Sequence, residues 1–169
     1  MQIIIALINR QNINNKSDFK VRQEVISSRC AMVRDYFKKK QIANVTVLEA
    51  YSFEEINELV KPNNEKTIIF SNFPPNSTYG NKHFFDKEGK QYIWADSYVK
   101  TAENYQFIMG LKPNIDLNII TGAREYVLTD EKLREYFSGK NITIKRILFS
   151  SYESEIKSYI KDILDSDFS

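Results

Sequence analysis

The segment Gln2–Ile8 (QIIIALI) puts six consecutive apolar residues after Gln2, with no polar side chain to turn toward water. A strand with one wet face alternates. An unbroken run rich in isoleucine marks a strand covered on both faces. A second run, Thr67–Phe70 (TIIF), has the same character and stops in the polar, proline-closed stretch Ser71-Asn72-Phe73-Pro74-Pro75. Two such strands need packing layers on both sides of one sheet.

The remaining pattern supplies those layers. Between the two runs, Phe19, Ile26, Cys30, Val33 and Phe37 fall at steps of seven, four, three and four, one stripe of a helix over about Asp18–Lys40. Lys38–Lys40 suit its carboxyl end, where cations oppose the helix dipole. Asn44–Ala50 (NVTVLEA) reads as a short strand. Ser52 followed by Glu55 is a capping box for a helix that buries Ile56, Leu59 and Val60 and ends at Pro62. Residues 73–96 break the rhythm. Within them, Phe84–Trp94 (FFDKEGKQYIW) predicts a hairpin turning at Glu88-Gly89. A helix resumes near Ser97, with Val99, Ala102, Tyr105, Ile108 and Met109 inward, and stops at Gly110 and Pro113. Ile115–Thr121 is a fourth strand. Thr129 or Asp130 caps a helix to Ser138 that buries Leu133, Tyr136 and Phe137, with Gly139 as its stop. Asn141–Phe149 is a fifth strand, alternating at its start as an edge strand does. Ser150 with Glu153 is a second capping box, and the last helix buries Ile156, Tyr159, Ile160, Ile163 and Leu164.

Five β-α units predict an α/β fold: a doubly wound five-stranded parallel sheet with helices on both faces and right-handed crossovers. The flavodoxin-like order 2-1-3-4-5 places the two unbroken runs centrally. The hairpin is an insertion after strand 3. At 169 residues, one domain over 1–169 is expected. Hydrophobic residues at 42% provide a core. The 24 basic and 22 acidic residues are mixed along the chain, without the clustered basic patch of a nucleic-acid binder. A single cysteine, Cys30, excludes an internal disulfide and suits a reducing compartment. The opening apolar run is too short to span a membrane and has no basic region before it. A cytoplasmic protein is expected.

In such a sheet, ligands sit outside the carboxyl ends of the strands. The sequence sets Asn9-Arg10, Ser71-Asn72, Thr121-Gly122 and Ser150 there. Arg10, with Asn9 and Asn72, offers an anion site. Thr121-Gly122-Ala123-Arg124 is a loop in which glycine admits close backbone approach and Arg124 adds charge. For each, the plain polar loop or tight strand-helix connection is the favoured reading. Tyr79, Phe84, Phe85, Tyr92 and Trp94 concentrate aromatics in the insertion, either as a partner-binding surface or as a mini-core. His83 is the sole histidine, so no metal site is expected. Cys30 lies on an apolar stripe and reads as a buried, inert thiol.

Two pieces resemble response-regulator receiver domains: VLEAYSFEEINELV (Val47–Val60), like that family's second strand and helix, and IITGA (Ile119–Ala123), like its strand ending in Thr or Ser before Ala. The resemblance implies a carboxylate pair after the first strand for Mg²⁺, a phospho-acceptor Asp ending the third, a Lys ending the fifth, and a switch Thr or Ser. Here those places hold Asn9-Arg10, Ser71-Asn72 and Phe149-Ser150, with only Thr121 matching. Hard oxygen ligands for Mg²⁺ are missing. The expectation is a degenerate receiver-like regulatory module, non-phosphorylatable and without cofactor. It would act through another protein or as a homodimer. The alternative is a nucleotide- or phosphorylated-metabolite-binding enzyme or sensor on the same fold.

Overall fold

The computed structural model describes residues 1–8, 16–62, 64–72, 84–85, 91–92, 102–121, 139–147 and 152–168. Its centre is β1 (Gln2–Ala6) flanked by β2 (Thr46–Ala50) and β3 (Thr67–Ser71). Beyond β3 lie β6 (Ile115–Thr121) and β7 (Asn141–Arg146). All pairings are parallel, in the order β2-β1-β3-β6-β7, which is the expected 2-1-3-4-5. The intervening β4 (Phe84–Phe85) and β5 (Gln91–Tyr92) form a separate antiparallel ladder, Phe84 opposite Tyr92 and Phe85 opposite Gln91.

Successive residues of β1 and β3 enter different cores. Ile3, Ile5, Ile68 and Phe70 pack with Ile26, Cys30, Val33 and Phe37 of α1 (Lys16–Lys39). Ile156, Ile160 and Leu164 of α4 (Tyr152–Phe168) join the same cluster. Ile4, Ala6 and Ile69 pack instead with Ile56 and Val60 of α2 (Phe53–Val60) and with Phe107 and Ile108 of α3 (Ala102–Met109). This period of two is what an enclosed strand requires. The register aligns Leu48, Ile4, Ile69, Leu117 and Ile142 in one row across all five strands.

Local chemistry sets the element ends. Ser52 accepts from the Glu55 amide at 3.1 Å, while the Glu55 carboxylate accepts from the Tyr51 amide at 2.7 Å. The capping box thus closes one residue earlier than its usual return to the cap. Asn44 adopts φ +65°, so β2 begins at Thr46 and not at Asn44. Gly139, at φ +81°, takes a backbone conformation that a side chain would strain. The outward-facing Val47 carbonyl on edge strand β2 accepts from Arg34 Nη2 of α1 at 3.1 Å.

Three further expectations are corrected. Strand 1 stops at Ala6 because the Ile8 backbone is bound by a side chain and not by a strand, as described below. Strand 5 stops at Arg146, short of Phe149. Met109 is 45% exposed, and Phe107 takes the inward place, its ring stacked on Phe53 with centroids 4.4 Å apart. The helix over 129–138, the start of the helix near Ser97 and the turn at Glu88-Gly89 lie outside the described residues.

Ile4 has neighbours on every side and no exposure, so its truncation leaves a void. Urea unfolding should show Ile4→Val losing about 0.5–1.5 kcal/mol and Ile4→Ala about 2–5 kcal/mol. Ser52→Ala should lose roughly 1 kcal/mol through its cap.

Candidate functional site

The crevice of this topology lies where the chain direction reverses, between the carboxyl ends of β1 and β3. Asn72, the first residue after β3, occupies it. Its Oδ1 accepts from the Ile8 amide at 2.7 Å, and its Nδ2 donates to the Ile8 carbonyl at 3.3 Å. A single side chain thus extends the β1–β3 pairing past the last strand residue. Ser71, buried beneath, donates its hydroxyl to the Asn72 carbonyl at 2.7 Å. The two polar residues predicted for ligand contact here are engaged in fixing backbone.

Arg22 also reaches this point, donating from Nη1 to the Ile8 carbonyl at 3.3 Å. The Asn72 amide and the Arg22 guanidinium therefore converge on one oxygen. Sequence reasoning missed Arg22, although its place was legible. It falls three residues after Phe19 and four before Ile26, on the inward stripe of α1. The same spacing flags Arg29, three after Ile26 and four before Val33. Arg29 is only 4% exposed, and its guanidinium holds the Glu153 carboxylate through both Nε (3.0 Å) and Nη2. Glu153, read as half of a capping box, is thereby the counter-ion of a buried cation.

Farther along the edge, the backbone of Thr121 ends β6 in register with Arg146, the last residue of β7. With β7 ending there, Lys145-Arg146 and not Phe149-Ser150 closes the strand. Asn9, Arg10, Gly122, Arg124 and Ser150 lie outside the described residues, as do Tyr79, Trp94 and His83. In the β4–β5 ladder the backbone of Phe84 pairs with that of Tyr92 and the backbone of Phe85 with that of Gln91.

Among the described residues no group of three or more His, Cys, Asp or Glu could hold a metal ion. No described helix is long and apolar enough to cross a membrane. Cys30 is fully buried. Burial first, and then the Glu49 carboxylate, push its thiol up to about 11, against the opposing pull of Arg34 and Arg29. A thiol held in its protonated form is a poor nucleophile. Burial likewise lifts Tyr36 to about 12, helped by its hydrogen bond to Asp165 at 2.8 Å. Tyr51 also rises to about 12, from burial and then from Glu49, whose carboxylate its hydroxyl meets at 3.3 Å.

A comparison with known protein families, with characterised proteins and with solved structures finds no match. The all-parallel sheet and its strand order are compatible with a flavodoxin-like fold.

Asn72→Asp keeps the shape of the clamp but turns one carboxylate oxygen onto the Ile8 carbonyl. Urea unfolding at neutral pH should show a loss of about 1–3 kcal/mol, the usual cost of an unmet buried partner. The deficit should shrink as pH falls, because a protonated carboxyl can donate to that carbonyl. In the parent, Cys30, Tyr36 and Tyr51 all have raised values in the folded state. Their contribution to stability is complete below the thiol's ordinary value of 9.0 and is lost toward about 12. Chemical unfolding measured from pH 8 to 12 should therefore show a falling midpoint, with tyrosinate absorbance appearing as the protein opens.

Proposed function

We propose that this chain is a receiver-like module that works through protein contact and has no aspartyl-phosphate cycle. The observation that carries the reading is Asn72. It stands at the end of β3, where the resemblance calls for a phospho-acceptor aspartate. It is an amide, and both ends of that amide are bound to Ile8. An amide oxygen that accepts from a backbone N–H has neither the charge nor the freedom to attack a phosphoryl group. Ser71 beside it is buried with its hydroxyl committed. Thr121 at the end of β6 keeps the position, though not the partner carboxylate, of the family's switch residue.

In this reading the contact surface is the aromatic set of the insertion, Tyr79, Phe84, Phe85, Tyr92 and Trp94. Aromatic side chains of this size dominate binding energy at protein interfaces. The partner is another protein or a second copy of the chain.

Incubation with acetyl phosphate and Mg²⁺ should leave the intact mass unchanged, and beryllofluoride with Mg²⁺ should leave the thermal midpoint unchanged. One phosphoryl group per chain would overturn the reading. Affinity capture on the immobilised chain should recover a defined partner that Trp94→Ala and Tyr92→Ala lose together. Turnover or tight binding of a nucleotide, with no partner recovered, would favour the small-ligand alternative.

A further inference from the structure

β7 ends the sheet and pairs only with β6. The bonds on its inner side fix which of its groups point away. The Thr67 amide of β3 donates to the Asn114 carbonyl at 3.0 Å. The even-numbered residues of β6 therefore turn their backbone groups to β3, and the odd-numbered ones turn theirs to β7. The register sets Leu117 opposite Ile142 and Ile119 opposite Ile144. In a parallel pair, a residue facing its neighbour bonds to the two residues that flank its opposite number. Leu117 and Ile119 thus engage Asn141, Thr143 and Lys145. The amides and carbonyls of Ile142 and Ile144 point outward, and among the described residues nothing binds them.

The other margin of the sheet is treated differently, since Arg34 occupies the outward Val47 carbonyl of β2. An open row of donors and acceptors is a template for another strand, and the side chains of β7 specify which one. Ile142 is buried and Ile144 packs against the same core. Thr143 and Lys145 lie on the other face, where Lys145 Nζ stands 5.7 Å from the Tyr159 ring centre. An added antiparallel strand must set outward-facing residues opposite outward-facing residues. A second β7, turned about a twofold axis at Thr143, does so with Ile142 opposite Ile144 on each side of the axis. Each such pair exchanges both of its N–H···O bonds, and the apolar row that crosses the sheet continues into the copy. On the other face Thr143 meets Thr143 and Asn141 meets Lys145. Lys140, which falls opposite Arg146, is drawn back by its bond to the Leu111 carbonyl at 2.5 Å. An axis at Ile144 would instead set Ile142 against Arg146 and Thr143 against Lys145, so the side chains select the first register.

We propose that the margin of β7 is an interface for a second copy of this chain, the two five-stranded sheets joining antiparallel about Thr143 into one. The pairing uses the open margin of both copies and leaves the Arg34-occupied margins of β2 at the two ends. The assembly therefore closes at two chains. This inference stands apart from the receiver-like reading and from its aromatic surface, since it rests only on the margins of the sheet.

Sedimentation of the parent at rising concentration should show the monomer passing to a species of twice its mass. Monomer alone at the highest soluble concentration overturns the proposal. Thr143→Cys reads the register. Opposed residues of a non-hydrogen-bonded antiparallel pair lie about 4.5 Å apart at Cα, within the span of a disulfide. Mild oxidation should therefore link two copies of this variant. Lys145→Cys should stay unlinked, because Asn141 lies opposite it, and Cys30 is enclosed. No link through Thr143→Cys, or an equal yield from Lys145→Cys, overturns the proposal. Should the cysteine variant fail to fold, Thr143→Glu serves, since position 143 is only half-buried. It sets two carboxylates against each other at the axis and should leave a folded monomer by circular dichroism and sedimentation. A folded Thr143→Glu chain that still dimerises overturns the proposal.

Discussion

β1 and β3 have neither a face nor an edge in water. Each is paired on both sides, and every residue from Gln2 to Ala6 and from Thr67 to Ser71 is buried. Enclosure of this kind dictates the rest of the architecture. The strands cannot fold until helices cover both sides, so the helical stripes of α1, α2, α3 and α4 are the complement of two short strands. It also makes the exits of those strands expensive places for backbone, because amides and carbonyls leaving the sheet must find partners there. Asn72 is the answer at one exit.

The clamp bears directly on function. A crevice between β1 and β3 is where α/β sheets of this winding ordinarily receive a ligand. Here the floor of that crevice is built from the chain's own groups: the Asn72 amide and Arg22 guanidinium bound to Ile8, and the Ser71 hydroxyl bound to the Asn72 backbone carbonyl. Those groups give rigidity where a phosphorylation site would need a free carboxylate. The receiver-like reading therefore places the action of the protein on its outer surface.

Much of this was legible in the residues. The apolar runs, the steps of three and four in α1 and the Ser52–Glu55 box carry their structure in local spacing, and the strand order follows from winding rules. The antiparallel pairing of Phe84–Phe85 with Gln91–Tyr92 falls within the stretch read as a hairpin, but its register, Phe84 opposite Tyr92, is one residue off a two-residue turn at Glu88-Gly89. The errors have physical causes. Met109 is apolar and next to Ile108, but the arc that faces the sheet is set by the Phe107–Phe53 stack, a contact between residues 54 positions apart. Strand 1 was drawn through Ile8 because apolarity continues there, whereas pairing ends when a side chain takes over the hydrogen bonds. The site was less legible than the fold. Asn72 looked like a ligand for something else because sequence shows an amide without showing what it binds. Arg22 and Arg29 were passed over, although both sit on the stripe that faces inward.

Arg34 carries a consequence for how the protein lives among its own copies. The exposed margin of a parallel sheet is a template onto which another extended segment can zip. By seating its guanidinium on the Val47 carbonyl, α1 occupies an acceptor that an incoming chain would need, and it sets a cation at the lip of the margin. The β2 margin thus offers an incoming strand one acceptor fewer than its backbone alone would, and the group that occupies it belongs to a helix that is itself part of the core.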